Sequence, residues 1–290
     1  MLVYKKRQEA KASLRALVEH RQHVLAVHYS CESLADKPDG TSARVTSIAV
    51  RNLADGRTDS FSLHLIAERR RIAQSDIEAA WDELERAMLR EFYEFVSRNL
   101  TAKWAHWNMR DTTFGFPALE HRFRVLGGSP VSIPTERTFD VSRFLVARFG
   151  SNYVEHPRLE SLVRFNALTD MNFLPGAEEA AAFAERKFVR LHQSTLRKVS
   201  CITTIIDLAA AGKLKTRATW RERTGFEFAA VPQFLKDHWV VALISLLASL
   251  SGLVGVSMKD CGSTEGKSTA GQDQGGKGTQ SAGGPGQAPH

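Results

Sequence analysis

The order of apolar patterns along the chain predicts an α/β domain, a sheet covered by helices, followed by one C-terminal transmembrane helix and a disordered tail. Three observations carry this. Strand-like runs come first, between residues 24 and 65, and helical periodicity dominates from residue 75 to 211; strands followed by covering helices imply layers rather than a bundle. Residues 239–258, WVVALISLLASLSGLVGVSM, contain no charge. Residues 259–290 hold nine glycines and no Phe, Trp or Tyr, too little apolar surface to offset the entropy of ordering.

Residues 5–22 are rich in Lys, Arg, Glu and Ala, with Leu14, Leu17 and Val18 at helical spacing, which predicts a short basic amphipathic helix with a solvated face. Val24 to Tyr29 is an apolar run of strand length that ends on Ser30, Cys31 and Glu32. Pro38, Asp39 and Gly40 then break the chain. Residues 44–50 and 60–65 alternate apolar with polar around an Asp55-Gly56 turn, so three antiparallel strands are expected. Ser75 and Glu78 have the spacing of a capping box, and Ile77, Trp81, Leu84, Met88, Phe92, Phe95 and Val96 continue at helical spacing. Residues 103–107 read as a short strand, and residues 116–126 as a helix stopped by Gly127 and Gly128. Helices are expected at 139–149, 158–168, 176–191 and 196–211.

A helix over residues 239–258 would reach roughly 30 Å, the thickness of a bilayer's hydrocarbon core. Trp239 suits the headgroup level, and Lys236, Asp237, Lys259 and Asp260 close both ends in water. The competing reading, a buried helix of a soluble core, would normally carry a polar face. Ser245, Ala248, Gly252 and Gly255 form a small-residue stripe, the pattern that lets two such helices approach closely, so a homo-oligomer through this helix is a second expectation. The chain then divides into a basic helical segment (1–22), the α/β domain (23–211), a basic juxtamembrane linker (212–238), the span (239–258) and the tail (259–290).

Net charge is +7 and the isoelectric point is near 9.4. In the tail, Lys259, Lys267 and Lys277 balance Asp260, Glu265 and Asp273, so the excess lies upstream. Such a domain suits an anionic partner, nucleic acid or acidic lipid headgroups. Cys31, Cys201 and Cys261 are widely spaced, without a zinc or redox pattern. The first 22 residues lack the apolar run and cleavage site of a secretory signal. A single-pass protein with its N-terminal domain in the cytosol is expected, with the lipid bilayer as a partner.

Three stretches point further. The first strand ends on Ser30-Cys31-Glu32; Asn108 follows the strand at 103–107, with Gly115, then Leu119 four residues later and Arg122 seven later; and His192 precedes Leu196 and Arg197. Across roughly residues 23–211 this pattern resembles the ribonuclease H-like fold of DEDD-type 3′-5′ exonucleases. The resemblance implies a mixed sheet flanked by helices. It also implies four metal-binding carboxylates, of which Glu32 alone keeps its place. Gly115 stands at one Asp position, with Asp111 nearby, and Leu196 or Arg197 at another. Two divalent ions roughly 4 Å apart need such oxygen ligands, whereas Arg197 attracts phosphate. The expectation is a degenerate site that binds nucleic acid or another phosphate-bearing ligand without efficient turnover, through Asn108, Arg122, His192, Arg197 and Lys198. The alternative is an active Mg- or Mn-dependent nuclease in which Glu32 and Asp111, with Asp140 or Asp170, hold metal in displaced positions. A third class is a membrane effector or scaffold.

Weaker constellations have structural explanations. Trp104, Trp107, Phe114 and Phe116 could stack bases or simply fill a core. His28, Cys31 and Glu32 resemble a thiol nucleophile with a base, but a strand places His28 and Cys31 on opposite faces. Lys187, Arg190, Arg197 and Lys198, with Lys213, Lys215 and Arg217, could meet phosphates or the anionic inner leaflet, or be a solvated surface.

Overall fold

In the computed structural model, which describes residues 2–32, 42–219, 222, 223 and 243, the strand Val24–Cys31 (β1) is buried at all eight positions. Its mostly apolar run reflects a sheet covered on both faces. β1 pairs antiparallel with Val45–Asn52 (β2), which pairs antiparallel with Thr58–Ser62 (β3). On its other side β1 pairs parallel with Lys103–His106 (β4), and β4 pairs parallel with Thr138–Asp140 (β5). The product is a mixed five-stranded sheet of order β3-β2-β1-β4-β5. Eight α-helices accompany it among the described residues: Leu2–Glu19 (α1), Leu63–Arg69 (α2), Trp81–Arg98 (α3), Phe116–Val125 (α4), Val141–Phe149 (α5), Arg158–Phe165 (α6), Gly176–Ala184 (α7) and Phe188–Ala210 (α8).

The two-residue period of the strands sorts the core into two layers. Leu25, Val27, Tyr29, Ile48, Val50 and Trp104 share one cluster with Leu63 and Ile66 of α2, Leu84, Met88 and Phe92 of α3, and Leu119 of α4. Val24, Ala26, Ala49 and Ala105 share the other with Leu14 and Leu17 of α1, Leu145 of α5, and Val199, Ile202 and Ile206 of α8. The small residues of the second layer leave room for α8 to lie close to β1 and β2, where Ser47 Oγ meets Thr195 Oγ1 at 2.7 Å. The first layer contains a buried charge. Glu85 is fully buried and accepts from the Val45 amide at 2.8 Å, Trp81 Nε1 at 2.8 Å, and Arg122 Nε and Nη2 at 2.9 and 2.6 Å. This carboxylate ties α3, β2 and α4 together.

Several elements differ from the sequence pattern. Residues 60–65 were expected as strand, yet β3 stops at Ser62 and α2 begins at Leu63, because Leu63, Ile66 and Ala67 bury at helical spacing. The expected capping box does not form: Ser75 Oγ donates to Asp76 Oδ1, and α3 starts at Trp81. The pattern of residues 139–149 predicts a helix throughout, yet Phe139 and Asp140 belong to β5 and pair with β4 before α5 begins. The helix expected over 176–191 is interrupted where Arg186 takes a left-handed φ of 57°, and α8 restarts at Phe188. In the stretch expected as a linker, Leu214 and Ala218 are buried.

The described residues up to Arg223 belong to one compact unit, and of residues 231–290 Leu243 alone is described. The expected membrane span, with Trp239, Ser245, Ala248, Gly252 and Gly255, and the glycine-rich tail therefore lie outside the described residues. Among the described residues, no helix is long and apolar enough to cross a membrane.

Candidate functional site

β1 and β4 run parallel and end on the same edge of the sheet. The chain leaves β1 toward β2 on one side, while β4 and β5 lie on the other. A crevice at the carboxyl ends of parallel strands, where strand order changes direction, is the place open α/β sheets use for ligands. Here it is a cleft of about 730 Å³. His28 to Glu32 line it from β1; Trp107, Asn108, Asp111 and Phe114 from the loop after β4; the starts of α6 and α7 from above; and Lys198 from α8.

The loop after β4 is fixed by short-range contacts. Asn108 has φ 55°, a left-handed conformation that Asn tolerates better than most residues. Arg110 Nη2 donates to Asn108 Oδ1 at 3.1 Å, and Arg110 pairs with Asp140 at 2.7 Å. The Gly115 amide donates to Tyr29 Oη at 2.8 Å, and the Tyr29 ring stacks on Phe114 with centroids 4.4 Å apart. A Cβ at Gly115 would fall 2.6 Å from the Arg110 amide nitrogen and 2.6 Å from the Met109 carbonyl carbon. Glycine is required there by the backbone of its own loop. Gly115→Asp, which supplies the carboxylate that the sequence resemblance implies at this position, is therefore expected to destabilise by about 1–3 kcal/mol and to yield no nuclease activity. Thermal unfolding and an oligonucleotide degradation assay on the same sample check both parts.

On the α8 side, Lys198 pairs with Glu179 at 2.7 Å, both side chains nearly buried, and its ammonium lies 5.2 Å from the Phe173 ring. Ser194 Oγ donates to Glu179 at 3.0 Å and accepts from the Leu174 amide at 3.2 Å. His28 faces this pair without a hydrogen-bond partner for Nδ1. Burial, and then the nearby Lys198 charge, push its imidazole down to about 3, so it is neutral. Glu32 is tied to Arg44 through the backbone, its amide donating at 2.8 Å and its Oε2 accepting at 3.3 Å.

Of the residues singled out in the sequence, Glu32, Asn108, Asp111 and Lys198 all line this cleft. Arg122 is held by Glu85 and Asp82. His192 is buried beside His64, ring centroids 5.0 Å apart, and burial followed by the His64 charge lowers it to about 4. Arg197 Nε donates to the Met171 carbonyl at 2.9 Å. Asp140 caps α5, accepting from the Arg143 amide at 3.2 Å, and Asp170 is exposed. Among the described residues, no group of three or more His, Cys, Asp or Glu is placed to hold a metal ion. The donor set around Glu32 and Asp111 does not fit a two-metal centre. Trp104, Phe116 and Trp107 are core residues, and Trp107, with the half-buried Phe114, also borders the cleft. Cys31 packs in the first layer, on the opposite face from His28 as strand alternation requires, which separates the thiol from the imidazole.

Two features were missed by sequence reasoning. Glu179 brings a fourth carboxylate to the cleft beside Glu32, Asp111 and Glu160, against Arg158 and Lys198, so the lining is net acidic. A neighbouring pocket of about 490 Å³ is lined by basic residues and shares Asn108 and Arg158 with the cleft. Its signal was the Lys5-Lys6-Arg7 run, read as a solvated helix face; Arg7 is in fact buried.

No family model matches the chain, and no curated protein matches it. Among solved structures, a family B DNA polymerase from the hyperthermophilic archaeon Pyrobaculum calidifontis is similar at a TM-score of 0.42 and 18% identity, over 66% of this chain and 26% of the polymerase.

Proposed function

We propose that the described domain is a ribonuclease H-like module that binds single-stranded nucleic acid at the carboxyl-end cleft without efficiently hydrolysing it. The observation that carries this reading is the cleft itself, which joins the aromatic residues Trp107 and Phe114 to two of the expected carboxylates, Glu32 and Asp111, at the strand ends of a mixed sheet. The meander β1-β2-β3 on one side of the sheet and the parallel pair β4-β5 on the other support the ribonuclease H-like part. The net acidic lining suits an uncharged base better than a phosphate, and aromatic side chains contribute about 1–3 kcal/mol per stacked base. Efficient two-metal hydrolysis needs more oxygen ligands than Glu32 and Asp111 supply.

Fluorescence anisotropy with a labelled twelve-nucleotide dT strand tests the binding, and the same strand incubated with Mg²⁺ or Mn²⁺ tests the chemistry. The expected result is binding that weakens about tenfold in Phe114→Ala, with the strand left intact. Shortening of the strand that disappears in Glu32→Ala would instead establish an active nuclease with displaced ligands.

The reading places this domain beside a bilayer, on the strength of the uncharged residues 239–258 and their aqueous flanks. Retention of the full chain in membranes through an alkaline wash is expected, and its release into the soluble fraction would remove the anchor.

A further inference from the structure

We propose that the basic pocket adjoining the cleft holds backbone phosphates of the same single strand, an inference that rests on the reading of the cleft as a base site. The pocket is lined by Lys6 and Arg7 of α1, Arg110 of the loop after β4, Arg143 of α5 and Arg158 at the start of α6, and among the described residues no carboxylate lines it. The carboxylates close by are already engaged. Asp140 pairs with Arg110 and caps α5. Glu222, which attracts Arg7, accepts from the Thr219 amide at 2.7 Å and its hydroxyl at 2.9 Å. Lys6, Arg7, Arg143 and Arg158 form no ion pair among the described residues.

Arg7 is the telling residue. It is only 7% exposed; its Nη1 donates to the Arg148 carbonyl at 2.8 Å, and its Nε has no hydrogen-bond partner. The Nε of Arg158 is also buried without a partner. A desolvated guanidinium with a spare donor is costly, and the group that satisfies it best is an oxyanion. Arg148 and Arg223 add further positive charge near Arg7, and burial, followed by the Arg7 and Arg223 charges, lowers the Arg148 guanidinium. Asn108 and Arg158 belong to both pockets. A strand whose base lies beside Trp107 and Phe114 therefore has its phosphates delivered to the cations and away from Glu32 and Asp111.

Lys6 and Arg143 are exposed and outside the cleft, so Lys6→Glu with Arg143→Glu probes the pocket while sparing the fold. The full chain in detergent micelles is titrated with the labelled dT strand across a KCl series, with inorganic tripolyphosphate as a second ligand and phosphatidylserine vesicles as a third. The double variant is expected to bind the strand at least about tenfold more weakly, with a salt slope lower by about 2, and tripolyphosphate is expected to displace the strand from the unmodified protein. Unchanged strand binding in the double variant would overturn the phosphate site, and would leave the cleft reading standing if Phe114→Ala still weakens binding. Loss of vesicle binding with strand binding untouched would overturn it in favour of a lipid headgroup. Tripolyphosphate binding that the double variant loses, in a protein that binds no strand, would leave a general anion site and overturn both the strand-phosphate proposal and the cleft reading.

Discussion

Replacing Glu85 by alanine is expected to lower the unfolding temperature by roughly 10 °C. Four donors converge on this fully buried carboxylate, two of them from Arg122. Burial raises the Glu85 carboxyl, and the Arg122 guanidinium opposes that most strongly. Removing one partner of a buried pair strands the other charge, at a cost of about 3–5 kcal/mol. The same change also leaves the Val45 amide and Trp81 indole without their acceptor. Because the penalty comes largely from a buried guanidinium left with the exposed Asp82 as its remaining carboxylate partner, Glu85→Ala combined with Arg122→Met should recover part of the loss. Calorimetry on the two variants checks this: a single variant within about 2 °C of the parent would show that the pair contributes little.

Acid should unfold the domain between roughly pH 4 and 5. Burial holds His28 at about 3 and His106 and His192 at about 4, while an unfolded histidine titrates near about 6.5. Above that value neither state binds the proton, and the stability is complete. As pH falls below it, the unfolded chain takes up protons that the folded chain refuses, so stability is lost progressively down to the folded values. Each unit is worth about 1.4 kcal/mol per group, so at pH 5 these three residues together withdraw roughly 6 kcal/mol. His28 has a further reason to stay neutral, since Lys198 faces it. Circular dichroism against pH should show a cooperative transition that moves to lower pH in His28→Leu. A domain that keeps its tertiary signal to pH 3 would contradict the burial of these rings.

The parts of this fold that were legible in the sequence are those set by local period. β1, β2 and β4 stand where alternation and apolar runs put them, and α3, α4 and α6 where the helical stripe does. Glu32, Asn108 and Asp111 could be found because strand ends announce themselves, and strand ends are where the sheet opens. The remainder depends on partners distant in the chain. Arg122 looks like a surface arginine until Glu85, 37 residues away, is packed against it. Residues 63–66 suit strand or helix equally in a short window, and the packing of Leu63 and Ile66 under the sheet decides for helix. β5 has only three residues, too few to show a period. Arg7 reads as one charge among several on a basic helix, and becomes distinctive only when α1 lies against α5 and buries it. Asp140 follows the same logic: it lies close to Asn108 in space but is engaged by Arg110 and the cap of α5.

The central claim is that a base enters the cleft at the ends of β1 and β4. Photo-crosslinking with a twelve-nucleotide strand carrying 5-iodouracil, followed by peptide mapping, tests it most directly. The account predicts adducts on Trp107, Phe114 or Tyr29, lost when unlabelled strand competes. Adducts confined to peptides that do not border the cleft, from a strand bound at saturation, would contradict it.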